Sequence, residues 1–376
     1  MEEWIKCPLG DILNFRRGHD LPKTSMVPGD IPVAGSNGII GFHNVSTPIS
    51  PCITIGRSGN VGTPYIYDIC WAHNTVLYID DYKGNDPKYL YYLLKTLPLA
   101  SFGGGSAVPT LNRNHIHPLE VVFCKDLELQ KKIAGILSKI DDKIEINRQI
   151  NDNLEQQAQT LYKSWFVDFE PFKHGEFFES EFGLIPEGWR VGALSDLTEI
   201  TMGQSPSGKS YNETGDGMLF YQGRAEFGDR YPSIRLYTTE PSRIAEQNSV
   251  LLSVRAPVGD TNIAYNNCCI GRGLASIKAK HGFNSFIFYM VKSLKDQFEL
   301  YNGEGTVFGS INRDSLNSMK VIVPTNDVIS DFEKIVAPLD FKYKSLFNEN
   351  LLLTQQRDTL LPKLMSGELK INEIDC

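Results

Sequence analysis

A chain of 376 residues with 41% hydrophobic content has room for two ordinary domains and their connections, each with its own core. The formal net charge of −8 argues at first sight against a nucleic-acid binder, and no apolar run approaches the ~20 residues of a bilayer span. The start, MEEWIKCPLG, is acidic where a signal peptide is basic and then apolar, so a cytoplasmic location is expected, and seven cysteines without a C-x-x-C pair read as reduced thiols.

Where the charge sits matters more than its sum. Residues 1–125 carry 10 Lys+Arg against 10 Asp+Glu and residues 186–325 carry 14 against 14, whereas 126–185 carry 7 against 12 and 326–376 carry 6 against 9. The acidic excess therefore lies outside two neutral, domain-sized blocks, which are free to face DNA while the acidic segments point elsewhere or meet another protein.

Taken in chain order, residues 1–125 alternate short Val/Ile/Tyr-rich runs with Gly, Pro and Asn, which predicts a strand-rich α+β domain with one helix near 86–98. From there Ile133, Leu137, Ile140, Ile144, Asn147, Asn151, Leu154, Ala158, Leu161 and Trp165 follow strict 4-3-4-3 spacing, a coiled-coil seam in a helical region over 126–170. At ~1.5 Å per residue this helix spans roughly 48 Å, more than the ~34–36 Å of one DNA turn. Residues 171–185 read as a linker, 186–325 as a second strand-rich domain with a helix near 284–299, and 326–370 as a second helical region before a tail at 371–376. Its seam is Val336, Leu339, Tyr343, Leu346, Asn350, Leu353, Arg357, Leu360 and Leu364, with Pro338 expected to mark a first turn or a kink. Asn151 and Asn350 take the same heptad position and are candidates to fix the register of an antiparallel pair, the alternative being that both face solvent.

The two blocks are one unit written twice. Trp4, Leu9, Asp11 and Gly18 recur at a constant offset of 185 as Trp189, Leu194, Asp196 and Gly203. ITIGRSGNVG at 53–62 answers LLSVRAPVG at 251–259, and YLYYLLKTL at 89–97 answers FIFYMVKSL at 286–294 without a gap. GGGSAVPTLNR at 103–113 answers GEGTVFGSINR at 303–313, and LEVVF at 119–123 answers MKVIV at 319–323. Matches in one order with drifting offsets point to duplication and to approximate two-fold symmetry within one chain.

Three motifs tempt toward enzyme chemistry. GQSPSGKS at 203–210 fits the P-loop pattern, but YNETGDG follows it and cannot form the required helix, and the equivalent GHDLPKTS at 18–25 lacks the second glycine. A turn carrying a phosphate-seeking lysine, Lys209 in the second half, fits both. VLYIDD at 76–81 reads as a strand ending in a solvated turn, and His115 and His117, expected on one side of a strand, lack a third metal ligand.

The order domain, helix, domain, helix resembles the specificity subunits of Type I restriction-modification systems over essentially the whole chain, and the junctions KSWFVDFEPF at 163–172, PEGW at 186–189 and LLPKLMSGEL at 360–369 sharpen the match. The resemblance implies two target-recognition domains, each reading half of a bipartite site on double-stranded DNA, joined by antiparallel helices that set the gap and dock two methyltransferase subunits. It further implies later recruitment of restriction and translocase subunits, a chain that is non-catalytic alone and carries no cofactor, and partners that use S-adenosylmethionine, ATP and Mg2+. No N/D-P-P-Y/F tetrapeptide of the amino-methyltransferases is present, which agrees with catalysis in partners.

Base readout uses bidentate donors and acceptors, chiefly Arg to guanine and Asn or Gln to adenine. Arg57 pairs with Arg255 in matching Gly-rich loops, and Asn112-Arg113 with Asn312-Arg313; present in both halves, they suit shared phosphate contacts or equally a structural salt bridge. Half-specific readers should differ between repeats, as do Ser36-Asn37 against Arg224, and His73-Asn74 against Arg272.

Overall fold

The computed structural model describes residues 4–104, 109–302 and 309–371. Its contacts fall into two units, residues 1–148 with 347–376, and residues 149–346. The division runs partway along both long helices, Leu127–Phe166 and Asn326–Ser366, rather than at the block edges near 125 and 325. Each unit thus owns one strand-rich block and a stretch of each helix.

The blocks share one topology. In the first unit a four-stranded antiparallel sheet has the order Asn14–Arg17, Val76–Asp81, Cys52–Gly56, Pro64–Tyr67; in the second the order is Thr198–Met202, Leu274–Ala279, Val250–Ser253, Thr261–Ile263. Strand Cys52–Gly56 is central and wholly buried, as is Val250–Ser253, which suits their runs of apolar and β-branched residues. A smaller sheet beside each contains a parallel pair, Ile31–Gly35 with Trp71–Ala72 and Met218–Tyr221 with Cys268–Ile270. The block ends are tied by antiparallel ladders, Trp4–Pro8 with Glu120–Cys124 and Arg190–Ala193 with Lys320–Val323. The duplicated α+β architecture read from the sequence is therefore present, and the halves differ chiefly in the smaller sheet, three-stranded in one and five-stranded in the other.

The doubled motif W-x4-L-x-D-x6-G has a backbone explanation. Leu9 and Leu194 are fully buried, and their N–H groups donate to Leu119 O and Met319 O, both at 2.8 Å. A Cβ on Gly18 would run into the carbonyl oxygen of His73, and one on Gly203 into that of Gly271. Each glycine is needed because two backbones meet there.

Helix Pro87–Thr96 starts on Asp86, whose carboxylate accepts from Tyr89 N at 2.8 Å, with Pro87 in the first turn. It buries Tyr89, Leu90, Tyr92, Leu93 and Leu94 against a core that also takes Ile133, Ala134 and Leu137 from the first long helix and Leu361, Leu364 and Met365 from the second. In the second unit Asn284–Ser293 does the same work and a short helix, Lys295–Glu299, follows it.

The seam is present but changes character along the first helix. Ile133, Leu137, Ile144, Asn147, Asn151 and Ala158 are buried, whereas the last turns bury Tyr162 and Phe166 in place of the expected Leu161 and Trp165. There the helix packs on a globular block, which rewards a broader face than a coiled-coil partner does. Within the first unit the two helices pair antiparallel. Asn147 Nδ2 donates to Asn350 Oδ1 at 2.9 Å and to Glu349 Oε2 at 3.0 Å, Asn350 Nδ2 donates to Ile144 O at 3.2 Å, and Arg357 pairs with Asp141 at 2.7 Å. Asn350 is thus held by Asn147, while Asn151, at the same heptad position as Asn350, is buried with an Oδ1 that accepts no hydrogen bond among the described residues.

Pro338 neither starts nor interrupts the second helix, which begins at Asn326 and continues to Ser366. The proline is exposed, and burial of Ile329, Phe332 and Val336 on the turns before it outweighs the one backbone hydrogen bond it removes. The segment expected as a linker carries a hairpin, Phe177–Ser180 with Gly183–Pro186. The six cysteines among the described residues are buried and in no disulfide. No helix among those residues is long and apolar enough to cross a membrane.

Candidate nucleic-acid interface

In the second unit three loops converge because their backbones are bonded to one another: Gly271 N donates to Tyr221 O at 2.8 Å and Val254 N to Gly273 O at 2.9 Å. A hollow of about 310 Å3 results, lined by Gln222, Arg224, Arg235, Arg255 and Gly273 among others. A larger one of about 590 Å3 shares Arg224 and adds Thr261, Asn262, Lys292 and Lys295. Three acids answer these cations, Glu155 among them, which takes Lys292. Asp260 pairs with Arg224, and the buried Glu226 takes Arg235 at 2.5 Å, an exposed guanidinium whose proton affinity this bond raises. Among the described residues Arg255 and Lys295 of this lining, and the exposed Arg272 beside Gly273, have no acid partner and give the surface its positive sign, the footprint that a phosphate backbone selects.

The first unit builds the corresponding surface with different side chains. Arg57 lies in the turn that matches that of Arg255; its N–H donates to Thr75 O at 2.8 Å, its carbonyl accepts from Leu111 N at 2.7 Å, and its Nη1 reaches Asn74 O at 3.3 Å. Asn74 is bonded to Asp20, and Ser36 borders Gly59, so Ser36, Arg57, His73 and Asn74 are neighbours across three loops. Burial pushes the His73 imidazole toward its neutral form.

The remaining sequence candidates divide. Arg113 is exposed and its Nη1 donates to Phe15 O at 3.1 Å; Arg313 and Arg272 are also exposed. Asn112 and Asn312 recur because they cap: Asn112 Oδ1 accepts from Asn114 N at 3.0 Å, and Asn312 Oδ1 from Ser315 N at 2.8 Å, at the starts of short helices. Lys209 sits in the single turn Gly208–Ser210, followed by strand Tyr211–Asn212 where a P-loop would need a helix. VLYIDD is the strand Val76–Asp81, and Asp81 Oδ1 accepts from Lys83 N at 2.8 Å in the turn beyond. His115 and His117 belong to a short helix and its cap rather than to a strand, and the His117 ring accepts from Phe15 N at 3.1 Å. Among the described residues no group of three or more His, Cys, Asp or Glu could hold a metal ion. The repeated glycine-rich segments lie outside the described residues at 105–108 and 303–308, as does the tail from 372.

Sequence reasoning missed Arg235, Lys292, Lys295 and, above all, Arg230. The Arg230 side chain is 2% exposed, with Glu155 of the first long helix at 3.0 Å and Asp340 of the second at 2.5 Å. Its guanidinium lies over Phe288 and Tyr343, 4.7 and 4.6 Å from the ring centroids. Lys292 reaches the same Glu155 at 2.5 Å. Burial pushes the Glu155 carboxyl up, yet the Arg230 and Lys292 charges outweigh it and hold it below the usual range.

Glu333 is the opposite case. Its Oε1 accepts from Ser285 N at 2.9 Å while its buried Oε2 has no partner among the described residues, and burial raises its pKa from the ordinary 4.5 to about 6. The protonated form is therefore favoured in the folded state. Its contribution is complete below 4.5 and is lost as the pH rises through about 6. Glu333→Gln keeps the acceptor and removes the charge, so its stability advantage over the wild type should grow from nil near pH 4 to about 1–2 kcal/mol at pH 8. Urea unfolding at the two pH values measures this, and a gap that stays constant with pH would exclude it.

The model for the Type I restriction modification DNA specificity domain matches residues 1–156 and again 186–337. The MjaX type I restriction enzyme specificity subunit of Methanocaldococcus jannaschii is 36% identical over 295 residues, covering 76% of this chain and 69% of that protein. The HindI specificity subunit of Haemophilus influenzae is 28% identical over 319 residues, covering 65% and 68%. The crystal structure of a Type I restriction-modification S subunit from M. genitalium superposes with a TM-score of 0.65 at 17% identity, covering 96% of both chains, which is a likeness of fold. A doubled block with a basic groove, two matches to one DNA specificity domain and relatives of this kind lead to one conclusion: the chain belongs to the family of Type I restriction-modification DNA specificity subunits.

Proposed function

We propose that each unit reads one half of a bipartite site on double-stranded DNA, that the two long helices set the number of unread base pairs between the halves, and that the same helices dock two methyltransferase subunits. The observation that carries this reading is the duplication itself: one topology twice, with Arg57 and Arg255 in matching turns and with different side chains, Ser36 and Asn74 against Arg224 and Arg272, on the surrounding loops. Shared arginines suit phosphate, which is the same in every sequence, and differing loops suit bases. Exposed apolar side chains on the helices, among them Ile146, Phe341 and Leu352, offer a partner surface. In this reading the chain carries no catalysis or cofactor of its own; the methyltransferase subunits bring S-adenosylmethionine, and the restriction and translocase subunits bring ATP and Mg2+ chemistry.

Mapping methylated adenines across a genome with and without this chain tests the reading. A split motif should vanish on deletion, and an unsplit motif, or none, would reject it. In the intact complex, Arg255→Ala should weaken binding to all sequences alike and lower the salt slope by about 1, the signature of one lost phosphate contact.

A further inference from the structure

The two units are mounted on the long helices by the same bond. Helix Pro87–Thr96 and helix Asn284–Ser293 each present a tyrosine at matching positions of the repeat, and each tyrosine donates to an aspartate fourteen residues into the long helix that follows. Tyr92 Oη reaches Asp141 Oδ2 at 2.7 Å, and Tyr289 Oη reaches Asp340 Oδ1 at 3.0 Å. An arginine closes each joint from a different direction. In the first unit it is Arg357 of the second long helix, on Asp141 Oδ1. In the second it is Arg230, from the block's own loop, on Asp340 and Glu155 together.

The Arg230 loop is also one wall of the basic groove. Arg230 O accepts from Ile263 N at 2.8 Å, and Asn262 holds Gly228 from both sides, donating to its carbonyl at 2.9 Å and accepting from its N–H at 3.2 Å. Gly228 and Asn262 line the larger hollow with Arg224. A path of backbone and Asn262 side-chain hydrogen bonds therefore joins the groove to both long helices, and its last link is a buried, multiply bonded guanidinium that tolerates little tilt.

We infer that Tyr92–Asp141–Arg357 and Tyr289–Asp340–Arg230–Glu155 are positioning clusters that fix the angle of each reading unit on the helices and so decide how strictly the gap between half-sites is enforced. The inference rests on the bipartite reading above. It assigns these residues no contact with DNA: they act by holding each block, with Arg224 and Asn262 in the second, at a fixed angle on the helix stretches of its own unit.

The test uses the full chain in complex with its methyltransferase subunits and DNA duplexes carrying both half-sites at the native gap or with one base pair more or fewer. Tyr92→Phe and Tyr289→Phe remove one hydroxyl each and keep the ring, so the fold is retained where Arg230→Ala would endanger it. Each should lower the preference for the native gap by about five- to tenfold, the worth of one hydrogen bond, and leave base preferences within each half-site unchanged. A folded, assembled variant with wild-type gap discrimination would overturn the inference, as would a change in base preference at a half-site. Wild-type complex that is indifferent to the gap would instead overturn the bipartite reading beneath it.

Discussion

Arg230→Ala should cost the second unit about 3–5 kcal/mol, because it leaves the partly buried Asp340 with no counter-charge among the described residues and takes one of two cations from Glu155. Glu155 and Asp340 are each less than one-fifth exposed, and Arg230 supplies both with their nearest guanidinium contact. Lys292 would remain on Glu155, but Asp340 would keep only the Tyr289 hydroxyl. The loss also strips the cation from the faces of Phe288 and Tyr343. Amide exchange within helix Asn284–Ser293 reads the effect locally, and protection there should fall by roughly 10^2- to 10^3-fold. The companion variant Arg230→Met/Glu155→Gln/Asp340→Asn removes charge on both sides and should recover most of the loss, since a neutral replacement of a buried ionic cluster is often close to neutral in stability. If the single and triple variants were equally damaged, packing rather than charge would be the cause.

How much of this was legible in the sequence follows from the range of the interactions involved. The duplication, the long helices and the central strands are local patterns, period 3.5 or runs of β-branched residues, and they were readable at once. So was the failure of GQSPSGKS as a P-loop, because the residues that must form its helix are its immediate neighbours. Arg230 was not, since its partners are 75 and 110 residues away and only the fold brings them together. That Asn147 is the partner of Asn350 has a related cause: an antiparallel register depends on where two helices begin against their blocks, whereas heptad position only says which face is inward. Pro338 does not mark a first turn because a residue's helix propensity is weak beside the burial of Ile329, Phe332 and Val336 on the turns before it. The Tyr92–Asp141 and Tyr289–Asp340 pairs could have been found, at offsets of 197 and 199 in segments that align, had the repeat been followed from blocks into helices.

Phe166→Ala is the second large effect expected, about 3–5 kcal/mol. The junction KSWFVDFEPF carries four aromatic residues, and the structure gives them one task. Phe166, 5% exposed, has the rings of Phe286, Phe332, Tyr162 and Trp189 at 4.9, 5.1, 5.1 and 5.8 Å between centroids. Phe169 and Phe172 stack edge-on against the same Trp189, which PEGW contributes from the start of the second block. Removing Phe166 opens a cavity where the first long helix, the helix Asn284–Ser293 and the second long helix meet, and rings fixed edge to face relax poorly into such a space. The neighbouring Val167→Ala, at a position 50% exposed, should change stability by less than about 0.5 kcal/mol. Chemical unfolding followed by tryptophan fluorescence suits the measurement, because Trp165 and Trp189 border the site. If Phe166→Ala kept wild-type stability yet abolished methylation in the assembled complex, the junction would be a partner contact rather than the aromatic lock between helix and block.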